Sequence, residues 1–237
     1  MPFTFAHPAA VVWLPEKRFL HRPALVLGAM APDFIYFLQG RAANGFGHTW
    51  AGVWLLNLPL VYLFYAVYRF LWADIWADYL PRCVAVCRPA APWQFSGSLK
   101  RAAVFTASAL IGMATHIVWD AFTHQNAWFV RHWSVLEQLY IGLPLYKWLQ
   151  YGGGVFGLLL IAAVCMVQAR RYPFVSSKTA KQKYRFWTAV GAEACTAWLC
   201  WQLVQAIPLT AAATQIIRLS DCAILALSAA CLWKKYR

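Results

Sequence analysis

Long apolar runs without charge set the organisation of this chain. The run 50–68 begins just past His48, and Asn57 and Pro59 inside it predict a kink. The run 102–119 leads directly into Asp120, and 148–169 opens on Gly152-Gly153-Gly154. The run 186–206 contains one acid, Glu193, and Pro208 breaks it from a last run ending near Trp233. Each approaches the ~20 residues with which a helix crosses about 30 Å of hydrocarbon. The pattern predicts an all-α integral membrane protein with about five transmembrane helices. The run 24–38 is too short to span and contains Pro32 and Asp33. It predicts a short re-entrant or partly inserted N-terminal helix whose irregular backbone is covered by protein. Arg218 and Asp221 lie three apart on one helix face and are expected to offset each other's burial. There is no internal repeat. The chain divides into a site-bearing half, 1–135, and a helical half, 136–237, of one membrane-embedded unit.

Composition strengthens the membrane reading. Of 237 residues, 62% are hydrophobic and 12% charged, against about 25% charged in soluble domains. The net charge of +13 raises nucleic acid as a partner, but no nucleic-acid motif accompanies it, and its placement reads as topology. Arg170, Arg171, Lys178, Lys181, Lys183 and Arg185 form a run without an acid, and Lys234, Lys235 and Arg237 close the chain. Such clusters beside apolar runs collect in the cytoplasm and meet anionic lipid headgroups. With 170–185 and the C-terminus cytoplasmic, the last two spans form a hairpin and 125–147 lies outside. Segment 69–101, with Arg69, Arg82, Arg88, Lys100 and Arg101, then lies inside. His48 and His124 emerge together at the outer face. Lys17, Arg18 and Arg22 draw the chain before the run 24–38 towards the cytoplasm or the headgroups. The N-terminus lacks the pattern of a removed signal peptide.

The candidate chemistry lies at the ends of these runs. In His116-Ile-Val-Trp-Asp120-Ala-Phe-Thr-His124 the polar residues recur every four positions and so share one helix face. Upstream the stripe continues through Gly112 and Ser108. His116 and His124 are about 12 Å apart along the axis, which suits two ions bridged by Asp120, or one ion and a supporting histidine. His7 lies in Phe3-Thr-Phe-Ala-His7-Pro8, Asp33 follows Pro32, and His48 lies in Gly45-Phe-Gly47-His48-Thr49 just before a span. Imidazole mixed with carboxylate suits a divalent ion, zinc foremost, as one or two ions. Taken singly, each residue has a plainer role: a hydrogen-bonded core histidine, a helix cap at Asp33, an i,i+4 hydrogen bond between His116 and Asp120. Ionisable groups within spans are nevertheless costly and usually functional. His21 and His132 read as structural. Trp13, Trp50, Trp54, Trp128 and Trp133 read as an interfacial aromatic belt. Five of the seven cysteines fall within apolar runs, and Cys83-x3-Cys87 lacks the second pair of a metal site.

The ordered set His7, Pro32-Asp33, Gly47-His48-Thr49 and Gly112-x3-His116-x3-Asp120-x2-Thr123, after the opening Met1-Pro-Phe-Thr-Phe-Ala-His7-Pro8-Ala-Ala10, resembles a bacterial family of uncharacterised proteins described as membrane-bound metal-dependent hydrolases. More distantly it is similar to inner-membrane hydrolases described as LexA-binding and to zinc-dependent phospholipase C. The resemblance covers about residues 1–133. It implies that Asp33, His48, His116 and Asp120 bind one ion, and that Asp120 bridges to a second held by His7. The further ligands of the soluble zinc relatives have no evident counterpart, with His124, His132 and Glu137 the residues that remain. The reading expected for this protein is thus a hydrolase of a phosphoester in the bacterial inner membrane, acting on a lipid or lipid-linked substrate. Asp33 or Asp120 would accept a proton. Two alternatives are a non-catalytic membrane protein with a structural or binding metal site, and an ion-coupled transporter using His116 and Asp120 as a relay.

Overall fold

The apolar runs fold as helices. The computed structural model describes residues 4–15, 17–42, 45–85 and 99–236. A 3-10 turn, Thr4–Ala10, precedes α1 (Arg22–Met30), a second 3-10 turn (Ala31–Asp33) and α2 (Phe34–Gln39). A third 3-10 turn, Phe46–His48, leads into α3 (Trp50–Gly52), α4 (Leu58–Val67) and α5 (Ala73–Tyr79), joined by π-turns at Val53–Asn57 and Tyr68–Trp72. Pro59 brings no N–H and its ring presses on the carbonyl four residues back. The first π-turn, closed by the Leu58 N–H on the Val53 carbonyl, absorbs that misfit and is the distortion expected at Asn57 and Pro59. There follow α6 (Leu99–Thr123), α7 (Trp128–His132), a minimal hairpin of β1 (Leu139–Tyr140) and β2 (Leu143–Pro144), then α8 (Leu145–Arg171), α9 (Ala180–Val204) and α10 (Ala212–Lys235).

Among the described residues, four helical stretches are long and apolar enough to cross a membrane: Trp50–Trp72, Leu99–His132, Leu145–Arg171 and Ala212–Lys235. The 25-residue α9 is not one of them. Lys181, Lys183 and Arg185 fill its first turns, and Glu193 and Gln202 interrupt its apolar part. Cys83 is a free, exposed thiol, while Cys87 lies outside the described residues.

The chain forms two compact units. One comprises the described residues of Met1–Phe34, Gly45–Tyr62 and Trp93–Val164. Its centre is the contact of α1 with α6, which run in the same direction. The His21 backbone N–H donates to Ser108 Oγ (2.9 Å) at one end, and His116 Nδ1 meets the Ala29 carbonyl (2.8 Å) at the other. Glycines allow this approach. A Cβ on Gly28 would collide with the Ala109 carbonyl, and one on Gly112 with the Leu25 carbonyl. Small residues in register let backbones pack closely where lipid offers no hydrophobic drive. The stripe anticipated on α6 is accordingly interior: Ser108, Gly112 and His116 are all buried. Preceding α1, the chain runs from Thr4 down to a turn at Lys17–Leu20, closed by reciprocal backbone hydrogen bonds. Val11 packs on Leu25 and Ala29, flanked by Leu14 and Leu20. Residues 4–33 thus start and finish beside the C-terminal end of α6.

The second unit comprises the described residues of Ile35–Asn44, Leu63–Pro92 and Cys165–Arg237. Here α9 and α10 pair around Phe186, Val190, Ala194, Cys222, Ala226 and Cys231. Thr179 and Gln182 cap α9 reciprocally. Asp78 accepts hydrogen bonds from the Ser177 N–H (2.9 Å) and hydroxyl (2.8 Å). Arg218 is fully buried, but not by pairing with Asp221 as its spacing suggested. Its guanidinium donates to the Gln205 carbonyl (2.7 Å), Gln205 Oε1 (2.8 Å) and Gln202 Oε1 (3.1 Å), and lies 4.8 Å from the Trp201 ring. Asp221 Oδ2 is buried without a hydrogen-bond partner. The C-terminal end of α9, Gln202 in its last turn and Gln205 at its cap, brings these neutral acceptors closer than a carboxylate one helical turn away.

Candidate metal centre

Three chain segments converge at the C-terminal end of α6. His116 sits one turn beyond Gly112, where the α1 contact buries it completely. Its Nδ1 donates to the Ala29 carbonyl, one of the last carbonyls of α1 and without a helical partner of its own. That bond fixes the tautomer and leaves the Nε2 lone pair facing inward, the usual arrangement behind a ligating histidine. Asp33 closes the 3-10 turn that Pro32 starts after α1, is buried, and accepts a 2.6 Å hydrogen bond from the Thr4 hydroxyl. His48 is carried by the 3-10 turn before α3. Gly47 there passes so close to Pro32 that a Cβ would strike its carbonyl, and Asn57 Nδ2 ties down the Gly47 carbonyl (2.6 Å).

The donor atoms face one another. His116 Nε2 and His48 Nε2 are 3.3 Å apart, and each is 3.3 Å from Asp120 Oδ2. Asp33 Oδ1 is 3.6 Å from His116 Nε2 and 3.7 Å from His48 Nε2. The ligand atoms of all four residues lie within 4.8 Å of one another. Two imidazole nitrogens at 3.3 Å share at most one proton, and two carboxylate oxygens face the same point. Five of the six separations are thus 3.3–3.7 Å; a regular tetrahedron with such edges has its centre about 2.0–2.3 Å from each corner, which is the length of metal–nitrogen and metal–oxygen bonds for an ion such as zinc. The cluster of two histidines and two aspartates could hold a metal ion.

His7 and His124 stand on the far side of Asp120. The His7 ring stacks on His116 at 3.7 Å between centroids, and its Nε2 is 3.6 Å from Asp120 Oδ1. Both atoms are buried without a hydrogen-bond partner. Burial, reinforced by the nearby His116, pulls the His7 pKa down to about 3, so its imidazole is neutral. Burial likewise pushes the Asp33 carboxyl up, against the opposing pull of His116 and the Thr4 hydroxyl. His124 Nδ1 is 3.3 Å from Asp120 Oδ1. Lys147 Nζ donates to Gln150 Oε1 (2.8 Å), which turns the Gln150 amide nitrogen towards His124 Nε2 (3.2 Å). A ring that accepts at Nε2 carries its proton on Nδ1, which faces the Asp120 backbone carbonyl at 3.3 Å.

All six residues singled out by the sequence, His7, Asp33, His48, His116, Asp120 and His124, are therefore gathered in one place. Thr4, Gln150, Lys147 and the Asn57 contact were not anticipated in these roles; for Thr4, Asn57 and Gln150 the one available signal was an uncharged polar residue inside or beside an apolar run, and for Lys147 there was none. His21 Nδ1 caps α1 through the Ala24 N–H, and His132 bonds the Trp128 carbonyl. The five belt tryptophans, Trp13, Trp50, Trp54, Trp128 and Trp133, are exposed.

No curated protein and no solved structure matches the chain. Over residues 1–233 it matches a family described as a domain of unknown function, DUF4184, and to that family it belongs.

Proposed function

We propose that this protein is a membrane-embedded, metal-dependent hydrolase of a phosphoester carried by a lipid or lipid-linked substrate. The observation that supports it best is the convergence of Asp33, His48, His116 and Asp120 on one point beside the ends of apolar helices. Zinc suits this mixture of imidazole and carboxylate. A second ion would be held by His7 and bridged by Asp120, which gives their two unpartnered buried atoms a common role. When bound, such ions supply Lewis acidity towards a phosphoryl oxygen and make water acidic enough to attack at neutral pH. The chain does the rest. Thr4 holds one Asp33 oxygen so that the other faces the centre, and Ala29 holds His116. Asp33 or Asp120 takes up the proton released by water. The side chains of His48 and Asp120 are 24% and 14% exposed, which leaves an approach for a substrate phosphate. A closed structural site would hide all four ligands, so this opening favours the catalytic reading over the purely structural one.

In the membrane we propose five spans, α9 and α10 forming the last hairpin, in the bacterial inner membrane. The run 24–38 forms the re-entrant or partly inserted element, the 170–185 loop and C-terminus are cytoplasmic, and the centre faces outward.

Metal content is the test. The protein purified in detergent is expected to carry about one or two divalent ions per chain, largely lost in His116→Ala and Asp120→Asn. Full retention of metal in both variants would remove the centre. Chelator-sensitive release of phosphate or headgroup from phospholipids or polyprenyl phosphates supports the activity. Metal without such turnover leaves the binding reading.

A further inference from the structure

The chain between α7 and α8 carries a second feature, opposite in chemistry to the metal centre. From Gln138 to Tyr146, between Glu137 and Lys147, no residue is charged. This stretch forms the hairpin of β1 and β2, with Leu139 opposite Pro144 and Tyr140 opposite Leu143. Its two-residue turn is Ile141-Gly142, and both residues have positive φ, +49° and +79°. Tight hairpins with φ > 0 at both central positions prefer Asn or Asp before Gly, because these short polar side chains tolerate that backbone and face water. A β-branched side chain does neither, and its crowded Cβ makes φ > 0 an outlier. Ile141 nevertheless stands there 93% exposed, with Leu139 73% exposed and Tyr140 and Leu143 also at the surface. Backbone strain and bare apolar area meet at one residue, and water offsets neither.

The hairpin is firmly held. The Leu145 N–H closes its base on the Gln138 carbonyl (3.0 Å), and Leu136 and Tyr146 on either side are buried with Val130. The Trp148 indole N–H donates to the Tyr140 carbonyl (2.7 Å), which ties the hairpin to the first turn of α8. The apolar stretch that could cross a membrane starts at Leu145, so the exposed tip lies beside the start of that stretch. Trp148, Tyr151, Val155 and Leu159 are all exposed, and their spacing of three and four puts them on one face of α8. Trp and Tyr at the head of an apolar face are the side chains of a membrane boundary, and the hairpin tip extends that face. A protein partner fits less well. Four side chains, none of them fully bare, offer less than the roughly 800 Å² that each side of a stable interface buries. We infer that the 139–144 hairpin inserts its tip among phospholipid acyl chains, beside α8 in the leaflet where that helix begins.

Photolabelling of the full chain in phosphatidylcholine nanodiscs tests this. A phospholipid carrying a diazirine on its acyl chain is activated by light, and the labelled peptides are mapped by mass spectrometry. Label is expected on 139–143, at a level comparable to 155–159 of α8, and not on 131–137. Asn suits positive φ better than Ile, so Ile141→Asn is expected to keep or raise the unfolding temperature while losing most of the label on the hairpin. Leu139→Gln, outside the turn, repeats the test should Ile141→Asn not fold. An unlabelled 139–143 beside a labelled 155–159 overturns the proposal. So does label that persists undiminished in the substituted hairpins. Label present with one chain per disc and absent with two would assign the tip to a second copy of the chain and overturn the lipid assignment.

Discussion

The centre depends on residues that touch no ion in any arrangement of the cluster. Thr4 is the clearest. Its hydroxyl satisfies Asp33 Oδ2 at 2.6 Å in a buried setting, and without it that oxygen is free to swing away. Thr4→Val keeps the shape and removes the donor, so metal affinity is expected to fall roughly 10–100-fold, with Thr4→Ser close to wild type. Competition against a chelator of known affinity measures this, and an unchanged affinity in Thr4→Val would deny the hydroxyl its role. Residues of this kind are invisible in sequence. His116 and Asp120 could be read because a spacing of four on a helix places side chains together whatever the tertiary fold. Thr4 and Asp33 are twenty-nine residues apart, and Gln150 and His124 twenty-six. No periodicity connects such pairs; only the packing of their elements does.

At the scale of elements, the centre depends on how closely α1 approaches α6. Gly28 and Gly112 each lie against a backbone carbonyl of the partner helix, so neither a rotamer change nor a side-chain shift can make room. Gly112→Ala is expected to destabilise the protein by about 1–3 kcal/mol and to lower metal occupancy, because pushing α1 outward carries Ala29 and Asp33 away from His116. Unfolding in detergent read beside metal content checks both, and loss of stability with full occupancy would uncouple the helix contact from the centre. The small-residue stripe Ser108, Gly112, His116 was legible as a face but not as the seat of α1, since the run 24–38 reads only as a short apolar segment. The Arg218 contacts show the opposite failure. A spacing of three made Asp221 its natural partner, yet the C-terminal end of α9 supplies Gln202 and Gln205 instead. Local spacing says which groups can meet, and a neighbouring helix end closing over them decides which do.

For the molecule as a whole, the centre joins pieces of chain that have little else in common. His7, Asp33, His48 and His116 come from four separate segments, and an ion binding the folded state but not the unfolded chain stabilises by mass action, by about 4 kcal/mol at a thousand times its dissociation constant. Chelation is therefore expected to lower the unfolding temperature of the wild type and to change little in His116→Ala. Acid should act in the same direction. Protons compete for the imidazole lone pairs, so occupancy is expected to fall as pH drops. Metal analysis after dialysis across pH 5–8 follows it, and occupancy constant over that range would argue against histidine ligands. The overall helical, membrane character was legible early because composition and charge-free runs constrain it directly, whereas α9, with Glu193 and Gln202 in its apolar part, sits at the margin of what length and hydropathy decide.

The shared direction of α1 and α6 has an electrostatic consequence of its own. Peptide dipoles within a helix add up to about half a positive charge at its N-terminus and half a negative charge at its C-terminus. The nine-residue α1 lies against the middle of α6, with its positive end beside Ser108 and its negative end where His116 and Asp33 converge. A cation bound at the metal centre would relieve that negative end. An antiparallel α1 would turn its positive end towards the same cation, so the direction of this short helix favours a cation at the centre over an anion.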